Sequence, residues 1–221
     1  MKNIILSKRL QYISDLVAYR RVCDVACDHG KIIAKLFCDN KIDYAIVSDI
    51  SEKCSLKAKS ILDNMNVVDY DMRVGDGFEN IFETDNIQEA IISGLGGLEI
   101  IKIMQNATKN IKSFIIQPQN NNILVKKFLI NNGYRIVHDK IIKDDKFYNI
   151  FKVVRGECSL SEFDIYFGKE NFTSYNKEFY EYLNVLDNKI NKFINKLSDE
   201  KLLEYTKIKE FIRLAKLKLG D

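Results

Sequence analysis

Seven short apolar runs, separated by amphipathic stretches, constrain this chain more than anything else in it. Runs rich in Val, Ile and Ala fall at 22–26, 44–48, 71–74, 89–93, 114–117, 135–142 and 148–154. Between the earlier ones lie helical patterns at 32–39, 52–65, 98–106 and 123–131. Strand and helix in alternation predict a parallel α/β sheet, because parallel neighbours need a crossover and a helix supplies it. The last two runs break the rule. Only Lys143-Asp144-Asp145-Lys146 and Phe147 lie between them, too little chain for a crossover, so they are expected as an antiparallel hairpin. Ahead of the first run, Ser7 is placed to cap a short amphipathic helix over 6–13.

Side chains at the carboxyl ends of such strands face a ligand, and the acids of this chain gather there. Asp24 and Asp28 lie in Asp24-Val25-Ala26-Cys27-Asp28-His29-Gly30, Asp49 follows 25 residues after Asp24, and Asp76 sits between Gly75 and Gly77. Small Ala26 and Gly30 let the backbone of the first turn approach a ligand. An acid at the offset of Asp49, with Ile50 beside it, accepts hydrogen bonds from ribose hydroxyls in nucleoside-binding α/β folds. Asp76 and Gly77 are placed to reach an adenine amino group. There is no Gly-x-Gly-x-x-Gly turn and no phosphate-cradling lysine, so the pattern suits a ligand rich in hydroxyls and amines. S-adenosylmethionine is such a ligand. Taken singly, Asp28 reads equally well as a helix N-cap and Asp24 as a strand-end turn residue. Three strand ends in succession favour the ligand.

The fourth run ends Ser93-Gly94-Leu95-Gly96-Gly97, where missing side chains let the backbone approach an incoming group. The fifth ends Gln117-Pro118-Gln119-Asn120, whose amides suit a base edge, although such residues are also common in loops. His29, in the ligand turn, and His138, on the hairpin, are the only two histidines. Arg9 is placed either to pair with a ligand carboxylate or nucleic-acid phosphate, or to stay solvated at the surface.

After Gly156 the period changes. Phe179, Leu183, Leu186, Ile190, Phe193 and Leu197 recur at alternating spacings of 4 and 3, and Tyr205, Ile208, Ile212, Ala215 and Leu219 continue so. Each set is a narrow helical stripe, so 157–221 is expected as a coiled-coil-like helical hairpin following a catalytic domain over 1–156. The turn between the helices falls at Ser198-Asp199-Glu200. The tail carries 11 basic and 12 acidic residues, so the net positive charge of the chain resides in the first part. Five cysteines without a companion metal-ligand pair read as reduced thiols of a cytoplasmic protein. Nothing marks a metal site or a signal peptide, and no apolar run reaches the ~18 residues of a membrane span.

Five parallel strands and a closing hairpin fit a class I methyltransferase sheet better than a plain dinucleotide-binding one, which ends in a sixth parallel strand. The residues then support a closer likeness. The chain resembles the bacterial tRNA adenine-N1 methyltransferases of the TrmK type. Leu6-Ser7-Lys8-Arg9-Leu10, Asp24-Val25-Ala26-Cys27-Asp28-His29, Ser93-Gly94-Leu95-Gly96-Gly97 and Ile116-Gln117-Pro118 carry the resemblance. Three departures stand out: Ala26 replaces a usual glycine, Gly30-Lys31-Ile32-Ile33 replaces Ala-Tyr-Leu-Pro, and Gln119-Asn120 follows the proline where one Asn is usual.

The resemblance implies S-adenosylmethionine-dependent methylation of N1 of adenosine 22 in tRNA, by a monomer or weak homo-oligomer without a metal. Cofactor binding is expected from Arg9, Asp24, Ala26, His29, Gly30, Asp49, Ile50, Asp76, Gly77 and Ser93. Catalytic roles are expected for Asp28, Gly94 and Gln117, and RNA contacts for Lys8, Lys189, Lys192 and Lys196. Adenine N1 carries a free lone pair at neutral pH, so direct in-line transfer needs no general base, and orientation does the main work. Two other readings share the cofactor residues. One is a small-molecule methyltransferase, for which the chain has no lid-sized insertion; the other is a cofactor-binding interaction protein without chemistry.

Overall fold

The computed structural model describes residues 4–27, 29–173 and 176–220. Seven strands form one sheet: β1 (Arg21–Val25), β2 (Tyr44–Asp49), β3 (Tyr70–Val74), β4 (Glu89–Leu95), β5 (Ser113–Pro118), β6 (Tyr134–Lys143) and β7 (Phe147–Arg155). Their order is β3-β2-β1-β4-β5-β7-β6. The first five run parallel, while β7 is antiparallel to both β5 and β6. The sheet is therefore the class I methyltransferase sheet that the alternation and the short hairpin connection predict.

Crossover helices bury the strands from both sides, which is why the strands read as nearly unbroken apolar runs. One face packs Cys23, Ile46, Ile92, Phe114 and Phe151 against α4 (Gly97–Gln105) and α5 (Asn122–Asn131). The other packs Val22, Val47, Ile91, Ile115 and Ile150 against α1 (Lys8–Leu16), α2 (Lys31–Cys38) and α3 (Glu52–Asp63). Between β1 and β4 the order of the strands reverses, so neighbouring helices leave on opposite faces and a crevice opens at the carboxyl ends.

The remaining chain folds as α6 (Glu162–Phe167), α7 (Lys177–Asn191) and α8 (Asp199–Lys218), with short 3₁₀ turns between. Here the expected coiled coil gives way to a broader cluster. The stripe on α7 is shared: Phe179 and Leu183 meet Ile208 and Ile212 of α8, but also Phe167 of α6 and Ile141 of β6. The helix stops at Asn191, short of the expected seam, and the chain reverses where Phe193 sets its ring edge-on to Tyr205, 5.0 Å away. A period near 3.5 marks any helix burying one narrow stripe and does not say that only one helix covers it. α6 was not foreseen, since six residues are too few to show a period.

The outer strand β6 is covered by side chains from this helical part. Its alternate backbone N–H groups at Asp139, Ile141 and Lys143 donate to Glu170 Oε2, Asn171 Oδ1 and Glu178 Oε2, at 3.1, 3.1 and 3.3 Å. Those bonds occupy an edge that would otherwise pair with another strand. Beneath them lies a buried ion pair, Lys126 Nζ to Asp139 Oδ2 at 2.6 Å, with Lys126 also donating to the Ile165 carbonyl and Asn149 donating to Asp139 Oδ1. Burial pushes the Asp139 carboxyl above the usual carboxylate range, and Lys126 pulls it back. Removing one partner strands the other in an apolar interior. Lys126→Met is therefore expected to lower unfolding free energy by about 3–5 kcal/mol, and the double variant with Asp139→Leu to regain much of that. Urea titration of the three proteins checks it; equal loss in single and double variants would contradict the pairing.

Candidate active site

At the crevice between β1 and β4 the structure has a cleft of about 580 Å³. Asp24 is the penultimate residue of β1, 2% exposed, Asp49 ends β2, Asp76 follows β3, and all three line this cleft together with Ser93 and Gly94 of β4. Arg9 reaches it from α1, and Ala26 and His29 from the turn after β1. Ile50 and Gly77 complete the group brought together.

Local backbone sets each of these groups. The turn after β1 is tied to β2 by Cys27 N–H donating to the Ser48 carbonyl at 3.1 Å. Asp49 Oδ1 accepts from the Ser51 backbone N–H at 2.8 Å, while Ser51 caps α3. That short loop fixes the direction of the carboxylate. Asp76 pairs with Lys102 of α4 at 2.6 Å. The His29 ring lies 3.4 Å from Lys57 Nζ. Burial, with Asp24 and Asp49 adding to it, pushes the Cys27 thiol well above its ordinary range, so it stays uncharged and is no nucleophile.

At the end of β4 the register with β5 shifts between Ser93 and Leu95, and Gly94 takes φ 84° in that bulge. A side chain there would be strained, so the bulge presents bare backbone to the cleft. Asn120 Oδ1 accepts from the Gly97 N–H at 3.0 Å, locking the start of α4 to the loop after β5.

Several expected site residues lie elsewhere. Gly30 caps α2 but does not line the cleft; a Cβ on it would come within 2.7 Å of the Ala58 Cβ, so it serves the approach of α3. Gln117 is fully buried behind the cleft, its Oε1 accepting from Arg9, and Gln119 is the amide that faces inward. Lys8 is ion-paired with Glu178 of α7. Lys189, Lys192 and Lys196 are exposed on α7 and the turn after it, outside the cleft. Asp28 falls outside the described residues.

Sequence reasoning also missed some of the lining. Glu99 and Ile103 of α4 enter the cleft, but an acid in a first helical turn reads as a complement to the helix dipole and an isoleucine as core. Among the described residues, no group of three or more His, Cys, Asp and Glu is arranged to hold a metal ion. No helix among them is long and apolar enough to cross a membrane.

Residues 6–151 match the sequence profile of a family described as a methyltransferase domain. The chain belongs to that family. A candidate tRNA methyltransferase of Mycoplasma genitalium is 34% identical over 146 residues, 64% of this chain and 66% of that relative. This methyltransferase also shares its whole fold with TrmK of M. capricolum, crystallised with S-adenosylhomocysteine, at TM-score 0.85 and 23% identity over 97% of this chain and 99% of that one. A candidate tRNA (m1A22) methyltransferase of Streptococcus pneumoniae, solved with S-adenosyl-L-methionine, aligns at TM-score 0.85 and 24% identity over 98% of this chain and 100% of that one. The TrmK-type resemblance read from the motifs is borne out.

Ala26 is the residue that sits least easily in the methyltransferase turn. It holds φ 60°, a left-handed conformation that costs a residue with a Cβ about 1–2 kcal/mol. Glycine removes that cost and returns part of it as chain entropy. Ala26→Gly is expected to raise unfolding free energy by up to about 1 kcal/mol, read as an upward shift in the thermal midpoint. A lowered midpoint would show that the turn is not strained in solution.

Proposed function

We propose that this methyltransferase transfers the methyl group of S-adenosylmethionine to N1 of adenosine 22 in tRNA. The observation that carries the reading is the convergence of Asp24, Asp49 and Asp76, with Arg9, on one cleft of about 580 Å³. The donor set fits the cofactor: acids for an amino group and a ribose diol, an arginine for a carboxylate, and no glycine-rich pyrophosphate turn. The M. genitalium relative and the TrmK structures support the choice of tRNA and of the adenine.

When bound, S-adenosylmethionine supplies a methyl group activated by its sulfonium. The chain supplies placement. Asp49 would accept from the ribose hydroxyls, and Asp76 from the adenine amino group, sharing that carboxylate with Lys102. Asp24, Ala26, His29 and Arg9 would hold the amino-acid tail. Ser93 and the open Gly94 backbone border the space left for the acceptor base, with Gln119 beside them. No side chain has to remove a proton before transfer, so fixing the two reactants accounts for most of the expected rate. The methylated ring is cationic, and we assign the stabilising carboxylate to Asp28, whose neighbours in sequence, Cys27 and His29, both line the cleft.

Adenine N1 is hidden by pairing or tertiary contacts in folded tRNA, so the target nucleotide has to leave its stack at a cost of a few kcal/mol. The helical part over 157–221 is proposed to hold the RNA while this occurs, through the exposed Lys189, Lys192 and Lys196, with 1–156 holding the cofactor. Incubation with tRNA and methyl-labelled cofactor, then digestion and mass spectrometry, is expected to place one label on N1 of adenosine 22. Label confined to small molecules, or none at all, would overturn the assignment. Asp28→Ala is expected to keep affinity for S-adenosylhomocysteine while single-turnover methylation falls roughly a hundredfold or more. An unchanged single-turnover rate removes Asp28 from the mechanism.

A further inference from the structure

The arginine in the cleft is held by groups that do not line it. Arg9 Nη1 donates to Gln117 Oε1 at 2.5 Å, and its guanidinium carbon lies 4.9 Å from the centroid of the Tyr148 ring. Its backbone N–H donates to Asp144 Oδ2 at 3.0 Å. The Ser7 hydroxyl and this N–H together hold the Asp144 carboxyl below the usual range, so that anchor stays ionised. Gln117 is itself fixed, fully buried at the end of β5, with Nε2 donating to the Pro118 carbonyl at 2.9 Å. Three separate parts of the sheet, the end of β5, the β6–β7 turn and β7, thus converge on one residue of α1.

The chemistry of these partners is selective. Gln117 is neutral, Tyr148 offers a ring face, and the one carboxylate takes the backbone N–H. Among the described residues no acid pairs with the Arg9 side chain within 4.0 Å. Among the described residues the groups that orient the guanidinium are neutral, and its planar fork suits a carboxylate. We infer that Gln117 is a positioning residue, which aims Arg9 at the α-carboxylate of the cofactor's amino-acid tail. The inference rests on the reading that this cleft takes S-adenosylmethionine. It replaces the expectation that Gln117 touches the acceptor base.

Calorimetric titration of the full chain with S-adenosylhomocysteine and with 5′-methylthioadenosine, which lacks the amino-acid tail, tests it. In Gln117→Met the acceptor is lost at nearly constant volume; in Gln117→Glu Arg9 keeps its place but its charge is cancelled. Both variants, and Arg9→Met, are expected to lose roughly ten- to a hundredfold in affinity for S-adenosylhomocysteine. Affinity for 5′-methylthioadenosine should stay within about twofold, and combining Arg9→Met with Gln117→Met should add little to either single loss. Parallel loss of both ligands would mean that Gln117 only supports the fold, and the inference would fail. It would fail equally if Arg9→Met abolished the preference for the tail while both Gln117 variants kept it. Wild-type protein that binds neither ligand would instead sink the cofactor reading itself.

Discussion

The reversal of strand order between β1 and β4 is the constraint on which the rest of this molecule depends. Parallel strands force crossover helices, and at the reversal those helices leave on opposite faces. No helix roofs the carboxyl ends there, so the chain has to finish each strand with something that tolerates an open, polar crevice. Asp24, Asp49 and the Ser93-Gly94 bulge are what it uses. The apolar residues behind them, Val22, Ile46, Ile91 and Ile115, are buried from both sides and leave the strand ends little freedom to move.

A second constraint acts at the far edge of the sheet. An outermost strand with unpaired N–H groups invites pairing with another chain, and here Glu170, Asn171 and Glu178 occupy alternate N–H groups of β6. The helical part thereby does two things with one set of contacts. It closes the edge, and through Glu178 it grips both Lys143 at the end of β6 and Lys8 at the start of α1. Because α1 also carries Arg9, the grip on the helical part and the wall of the cleft share one short helix.

How much of this was legible in the sequence follows from the range of the interactions involved. The strands were readable because burial on both faces leaves a continuous apolar run, and the hairpin because so few residues between strands cannot cross over. The strand-end acids were readable because topology alone decides where strand ends go. What escaped was decided by distant partners. Gln117 is buried behind the cleft while Gln119, two residues on, lines it beside the β4 bulge, a relation no local pattern reveals. Lys8 is claimed by Glu178, 170 residues away, and Gly30 is required by Ala58 of a different helix. The seam on α7 was seen, but its period could not show that β6 and α6 share it with α8.

The same physical solution recurs at several points of the cleft. A site that has to bind a charged ligand needs its own charges aimed but not cancelled, and an oppositely charged neighbour would do both. Asp49 is aimed by the Ser51 backbone N–H, and Arg9 by the Gln117 amide and the Tyr148 ring. Asp76 is held directly by Lys102. That lysine is two-thirds exposed, and an ion pair so open to water is weak. It can yield the carboxylate to a better-placed donor at little cost. A buried cation in the same position could not, because its removal would leave the acid desolvated and unpaired. The deep pair Lys126–Asp139 shows the contrast within one chain: there two buried charges are matched to each other, whereas Arg9 is steered by neutral groups and Asp76 by a partner that water can replace.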